Sequence, residues 1–375
     1  MTTSFNWTNL FKHQATSGVI LLLMTALAML WANSPWYNGY NLFTSFALLP
    51  INDGLMAVFF LLVGLELKRG FVEGRLSRFS QISLPMFAAI GGMIVPASIF
   101  LLVNHQFPEF QKGWATPTAT DIAFAIGVVS LFSKKIPRSL ILFLLALAIF
   151  DDLGAILIIS FFYTAKLHLL WVIAASGALS CLVLCNLYNI RNLNVYLILG
   201  ALLWFSIFRS GIHPTLAGVM LAFCIPAEPL ASTSPLHKLE HFIQPWVAFF
   251  IMPLFALANA GFALNGSDIS LVINPLVLGI AAGLFVGKQI GVFCTAWLAI
   301  KMRIASIPKK ATWLSLYGIA ILCGIGFTMS LFLGTLSFQN APQHLLEIRF
   351  GVLIGSILSG LYGSLILIQT SVPEE

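Results

Sequence analysis

The 375-residue sequence predicts an all-α polytopic membrane protein, one transmembrane transporter domain over 1–375 with twelve transmembrane helices. Helices 3–5 and 10–12 form inverted-topology repeats, helices 4 and 11 are interrupted and cross at the midplane, and the remaining helices form a panel beside that core. Three observations predict this. The chain is 59% hydrophobic and 9% charged, with a mean hydropathy of +0.95, whereas soluble domains are about 25% charged. Its apolar runs approach the ~20 residues that cross a ~30 Å hydrocarbon core. Ionisable residues stand in the middle of such runs, where an Asp costs roughly 2.5–3.5 kcal/mol. Lipid offers the backbone no partners, so helices that close their own hydrogen bonds are the spanning solution.

In chain order the apolar runs are Gly18–Ala32, Leu55–Leu65, Ile82–Val103, Ile122–Phe132, Leu140–Phe162, Leu169–Leu184, Val195–Ile207, Ile212–Ile225, Trp246–Ala263, Leu276–Ile300, Trp313–Phe338 and Phe350–Ile368. The second and fourth are too short to span unless polar flanks extend them. Lys12 and His13 suit a retained first helix that starts in the cytoplasm. Between the first two runs, Tyr37-Asn38-Gly39-Tyr40 reads as a type I′ turn or an ordinary interfacial loop. Twelve crossings put both termini on the cytoplasmic side. Fourteen Lys and Arg then face the cytoplasm, Arg75, Arg78, Lys134 and Lys135 among them; four, including Lys166, face the opposite side, and Lys288 lies inside a helix. That asymmetry satisfies the positive-inside rule. The net charge of +6 comes from clusters between apolar runs and does not suggest nucleic acid. All five cysteines lie in apolar runs, which reads as small hydrophobes and not as a disulfide or metal framework.

The chain is organised around Leu140–Phe162, apolar except for Asp151-Asp152 at its centre. Like charges raise each other's cost of ionising. Lys288 stands at the midpoint of Leu276–Ile300, so a pair with Asp151 would relieve both. Such a pair serves either function or helix packing alone; Asp152 has no second lysine. Asp121 ends Thr116-Pro117-Thr118-Ala119-Thr120-Asp121 ahead of a short run, which reads as a helix broken at Pro117. Gly324-Ile325-Gly326 breaks the eleventh run, followed by Thr328 and Ser330. The fourth and eleventh runs are the middle members of two triads seven helices apart. Paired interruptions of that kind point to a transporter's binding site. Each break exposes helix ends carrying about half a charge; Asp121 is placed to offset the positive ends and Lys288 the negative ones.

The stretches LLVGLELKRG (61–70), ATPTATDIAFAIGVVSLF (115–132), FDDLGAILII (150–159), SGIHPTLAGV (210–219), LEHFIQPWVAFFIMPLFALANAG (239–261), VGKQIGVF (286–293) and GIGFTMSLF (324–332) carry a resemblance to the NhaA-type sodium/proton antiporters. The resemblance runs from the second crossing through the eleventh. It implies electrogenic exchange of sodium or lithium for protons across the bacterial inner membrane, pH homeostasis, and no cofactor beyond the transported ions. It implies Asp152 as ion and proton carrier and Asp151 as partner of Lys288, the two acids holding the transported sodium. Lys288 is then charge balancer and proton carrier, with Asp121 and Thr120 in the interrupted-helix assembly. A pH-responding patch would keep Glu66, Arg69, Glu240 and His241, with His213 in the eighth run. The chain departs from the family at Gly70, where a glutamate is usual, and at Gln244, where a histidine is usual. The segment 33–51 is shorter than the family's loop, which folds a β-hairpin used in dimerisation; a homodimer here lacks that contact.

The physical mechanism stands beside the name. Proton and sodium compete for the same buried carboxylate oxygens, either one neutralises the site, and only the neutralised site changes access. Two rivals share some of these features. A sodium-coupled organic-solute symporter would need polar groups for its solute. An intramembrane aspartyl protease would use Asp121 and Asp151 as its dyad, but the Gly-x-Gly-Asp stretch of such enzymes does not occur, since Gly324-Ile325-Gly326 is followed by Phe327.

Overall fold

The computed structural model describes residues 7–73, 79–131, 136–163, 167–228, 234–263 and 270–370, with the side chains of 7–15, 79–81 and 270 excepted. The side chains of Lys12 and His13, and residues Arg75, Arg78, Lys134, Lys135 and Lys166, lie outside that set. No strand occurs among the described residues.

In chain order the helices are α1 (Trp7–Ala32), α2 (Tyr37–Leu49), α3 (Met56–Val72), α4 (Phe79–Val103), α5 (Pro108–Gln111), α6 (Ile122–Leu131), α7 (Arg138–Phe162), α8 (Leu169–Leu187) and α9 (Leu193–Ser210). There follow α10 (Thr215–Cys224), α11 (Pro235–Trp246), α12 (Met252–Ala260), α13 (Ser270–Ile273), α14 (Pro275–Ala282), α15 (Lys288–Lys301), α16 (Trp313–Leu322), α17 (Phe327–Ser337) and α18 (Leu345–Ile368). Pro50–Leu55, Val247–Ile251 and Gly283–Gly287 are π-helical links that keep α2–α3, α11–α12 and α14–α15 continuous, and Lys112–Thr118 is a 3₁₀ continuation of α5. Among the described residues, eight helices are long and apolar enough to cross a membrane, ten if each of two bent pairs counts as one span. Two shorter apolar helices, Thr16–Ala32 and Thr215–Cys224, stand where the first and eighth apolar runs lie.

Local chemistry explains the ends. Asn192, Ser234 and Asn274 each accept a backbone N–H of the first turn that follows, and Thr312 with Ser315 forms a reciprocal capping box. Gly211 closes α9 at φ 89°, a left-handed conformation that suits glycine. All five cysteines are free thiols.

The chain divides into two compact units. The first comprises Met1–Tyr40, Ser83–Ala155 and Asn259–Glu375. In it α14 and α16 pack on α18, α1 packs on α6, and α17 packs on the 3₁₀ segment and on α18. Small residues bring α4 and α15 together: a Cβ on Gly291 would lie 2.2 Å from the Gly91 carbonyl oxygen, and one on Gly287 would lie 2.6 Å from Pro96 Cα. Close backbone approach through small residues is how helices associate without a hydrophobic drive. The second unit comprises Asn41–Ile82 and Ile156–Ala258. There α3 packs on α10 and α11, and α8 on α9.

Hydropathy set several edges wrongly. The Tyr37–Tyr40 segment is neither a turn nor a loop but the first turn of α2, and the span runs on as Tyr37–Val72. Gly39 and Tyr40 donate their N–H groups to the Trp36 carbonyl at 2.9 and 3.2 Å. The Tyr40 ring meets Trp31 edge-on at 5.5 Å, and its hydroxyl accepts the Gly261 N–H at 3.1 Å. These tertiary contacts outweigh the turn preference of Asn-Gly. The span that holds the ninth apolar run likewise begins at Pro235, because its first turns are amphipathic and escape an apolar-run criterion.

Candidate functional site

The site is built where two interrupted helices cross. The 3₁₀ segment ends at Thr118, Ala119 is extended at φ −91° and ψ 151°, and α6 starts at Ile122. Pro117 lacks the N–H that would continue a helical ladder. The two halves are bent by 48°, and α16 and α17 are bent by 44° about Cys323–Gly326. The breaks bond to each other: the Asp121 N–H donates to the Ile325 carbonyl at 2.7 Å. The Thr120 hydroxyl stands 2.9 Å from the Cys323 carbonyl and 2.6 Å from Asp151 Oδ2, with one hydrogen to give to either.

Asp121 caps two helices at once. Its Oδ1 accepts the Phe124 N–H of its own α6 at 3.0 Å, and its Oδ2 accepts the Thr328 N–H of α17 at 3.1 Å and the Thr328 hydroxyl. Both are first-turn donors at positive helix ends, where a carboxylate is favoured. Glycine is required at the second break for space. A Cβ on Gly324 would lie 2.4 Å from the Leu284 carbonyl oxygen, and one on Gly326 would lie 2.1 Å from Ser330 Oγ and 3.0 Å from the Ala119 carbonyl oxygen.

Beside the crossing, Lys288 Nζ donates to Asp151 Oδ2 at 2.6 Å, with neither side chain exposed. Lys288 passes over Gly92, whose added Cβ would be 3.6 Å from Nζ. Its backbone ends the π segment, with its N–H on the Gly283 carbonyl; π turns inside α-helices concentrate at functional sites. The Lys288 ammonium sits on Asp151, and its charge also reaches Cys323 at the C-terminal end of α16, whose freed carbonyl is within reach of the Thr120 hydroxyl. Asp152, the next residue of α7, is 3% exposed.

The residues proposed for pH response do not form one patch. Arg69 Nη1 meets Glu240 Oε1 at 2.9 Å, and Glu66 lies within the fields of both. His241 is exposed. His213 is buried at the other end of the α3–α10 pair, with Nδ1 2.8 Å from the Thr215 hydroxyl and Nε2 3.6 Å from Asp53. Lys68 marks the near end by donating to the Ile225 carbonyl at 2.5 Å. Asp53 and Lys68 are fifteen residues apart, roughly 22 Å along a helix. One pair went unread in the sequence: His237 Nε2 meets Glu73 Oε1 at 2.9 Å. The spacing carried a signal, since Glu73 is four residues beyond Arg69 and His237 three before Glu240, one face on each helix.

Two bent helix pairs whose oxygen-rich breaks are bonded to each other, among eight to ten apolar spans in the described residues, define a polytopic membrane protein with interrupted helices at its site. The chain belongs to the Na+/H+ antiporter 1 family, whose model matches residues 8–367. It is 52% identical over 363 residues to the Na(+)/H(+) antiporter NhaA of Nitrobacter hamburgensis, covering 94% of this chain and 89% of that protein. It is 50% identical over 368 residues to the Na(+)/H(+) antiporter NhaA 2 of Pseudomonas syringae (96% and 94%), and 47% identical over 368 residues to the Na(+)/H(+) antiporter NhaA of Tolumonas auensis (94% and 92%).

Proposed function

We propose that this chain is a secondary antiporter exchanging sodium or lithium for protons, electrogenically, across the bacterial inner membrane. It crosses twelve times with both termini cytoplasmic, and access alternates around Asp151 and Asp152 as one transport domain over 1–375. One observation carries the reading. In a dry pair Asp151 already shares Oδ2 with Lys288 and Thr120, and a second buried carboxylate, Asp152, follows it directly.

The roles follow from charge. Lys288 balances one of the two acids, so a sodium ion cancels the remaining charge; electrogenic exchange needs more than one proton per sodium, so Lys288 carries a proton as well as Asp152. Burying an uncancelled charge is expensive, so the empty site stays facing water while the loaded site moves. Hydroxyl, carbonyl and carboxylate oxygens from Thr120, Cys323 and the acids suit a hard cation. Asp121 holds the broken ends together rather than binding the ion; its oxygens are engaged by Phe124 and Thr328. Those engagements hold Asp121 in a helix cap, and Lys288 holds Asp151 in an ion pair, which is not the carboxyl-to-carboxyl pairing of a protease dyad. Glu66, Arg69 and Glu240 form the pH-responding group, and His213 acts at a distance from them.

The test is sodium-induced proton release from everted vesicles over a pH series. Asp152→Asn is expected to abolish both exchange and sodium binding; a variant exchanging within several-fold of the unmodified protein would show that the carrier is elsewhere.

A further inference from the structure

The π segment Gly283–Gly287 fixes where α15 begins, and so where Lys288 stands. A chain of hydrogen bonds reaches it from the neighbouring broken helix. The Tyr317 hydroxyl of α16 donates to Gln289 Oε1 at 2.7 Å, and Gln289 Nε2 donates to the Phe285 carbonyl, within the π segment, at 2.6 Å. Gln289 is 8% exposed and adjoins Lys288, which is fully buried. Aromatic contacts hold both ends: Tyr317 meets Phe293 of α15 edge-on at 5.2 Å, and Phe285 meets Tyr362 of α18 at 5.9 Å. α16 also leads directly into Cys323, whose carbonyl is 2.9 Å from the Thr120 hydroxyl. The same helix therefore touches both sides of the ion pair, through Thr120 on the Asp151 side and through Gln289 on the Lys288 side.

We propose that Gln289 and Tyr317 are positioning residues that lock the π segment and thereby hold the Lys288 ammonium on Asp151 Oδ2. The physical reason is the length of lever involved. Lys288 has a long, flexible side chain, and only a fixed backbone start keeps its ammonium on one oxygen. A π turn disturbs the regular ladder, so its carbonyls need side-chain partners to stay in register. With Gln289 cut away, the ammonium samples positions off Oδ2. That oxygen is then less compensated and open to sodium, so sodium binds more tightly.

The inference rests on the antiport reading, and the experiment separates the two. Sodium-driven exchange is measured at one alkaline pH, where protons compete least, in the unmodified protein and in Gln289→Met, Tyr317→Phe and the double variant. Gln289→Met is expected to lower the sodium KM threefold or more while the maximal rate stays within twofold. Tyr317→Phe should move KM the same way by less, and should add nothing to Gln289→Met, because it acts through Gln289. A pair that only stabilises packing would lower Tm and the maximal rate and leave KM where it was. An unchanged or raised KM, or additive effects, overturns the positioning role while leaving antiport intact; an unmodified protein without exchange overturns both. If Gln289→Met fails to fold, Tyr317→Phe, which removes one oxygen and keeps the ring packed, decides the matter by the same KM criterion.

Discussion

Two ion pairs of similar geometry lie in different surroundings. Lys288 and Asp151 meet at 2.6 Å with both side chains at 0% exposure; Arg69 and Glu240 meet at 2.9 Å with 22% and 6%. In the first pair neither charge has water to fall back on, so the pair is kept or lost as a unit. In the second the guanidinium remains partly hydrated, and its attraction can be graded by salt, pH and neighbouring charge. The dry pair suits an invariant balance at a transport site, and the wet one suits adjustment.

The largest effect should come from breaking the dry pair. Lys288→Ala is expected to destabilise the protein by roughly 3–5 kcal/mol if Asp151 stays charged. Adding Asp151→Asn should restore much of it, read as thermal unfolding in detergent; a double variant as unstable as the sum of the singles would exclude direct pairing. Next comes the shared cap, which is buried but binds no countercharge. Asp121→Ala removes the cap from both α6 and α17, at about 1 kcal/mol each, so about 2 kcal/mol together. Thr328→Val should recover little of this, since the Thr328 N–H would still be unmet.

The wet pair should respond less. Arg69→Ala is expected to cost about 1 kcal/mol, and the difference from the unmodified protein should shrink as salt rises from 0.1 toward about 1 M. A salt-independent loss would mean that the pair is as dry as Lys288–Asp151. The smallest effect on stability, though readable in activity, concerns steepness. Gly70 and Gln244 remove a carboxylate and an imidazole from the surroundings of Glu66, Arg69 and Glu240. Fewer coupled groups give a shallower pH response, and histidine titrates nearest neutrality, at about 6.5. Restoring Gly70→Glu with Gln244→His should steepen the activity profile, whereas a profile already steep and unmoved by the restoration places the switch elsewhere.

Much of the fold was legible because lipid leaves few options. Charges in the middle of apolar runs, Pro117 and the Gly324–Gly326 break announced themselves by their cost. The pairing of Asp151 with Lys288 followed from depth and sign. What stayed hidden depends on three-dimensional register. Nothing in the sequence marks Gly283–Gly287 as π-helical, since its composition suits an α-helix equally well. Thr328 was visible beside the break, but its bond to Asp121 spans 207 residues of chain. Tyr37–Tyr40 misled because a local Asn-Gly preference was overruled by Trp31 and Gly261, both remote from it in pattern. His213 fell in with the other titrating residues by kind, yet the parallel course of α3 and α10 carries it to the opposite end.

That 207-residue bond has a consequence for how the protein is made. Asp121 is synthesised early, but one of its two helix caps cannot form until Thr328 leaves the ribosome. At about 5–20 residues per second, the wait is roughly 10–40 s. Throughout that interval the first broken helix is in or near the membrane with a carboxylate oxygen and the Asp121 N–H still unmatched. The crossing is thus a late joint of the protein, followed only by the packing of α18, and slowing translation between residues 131 and 328 would lengthen the time in which quality-control proteases can reach it.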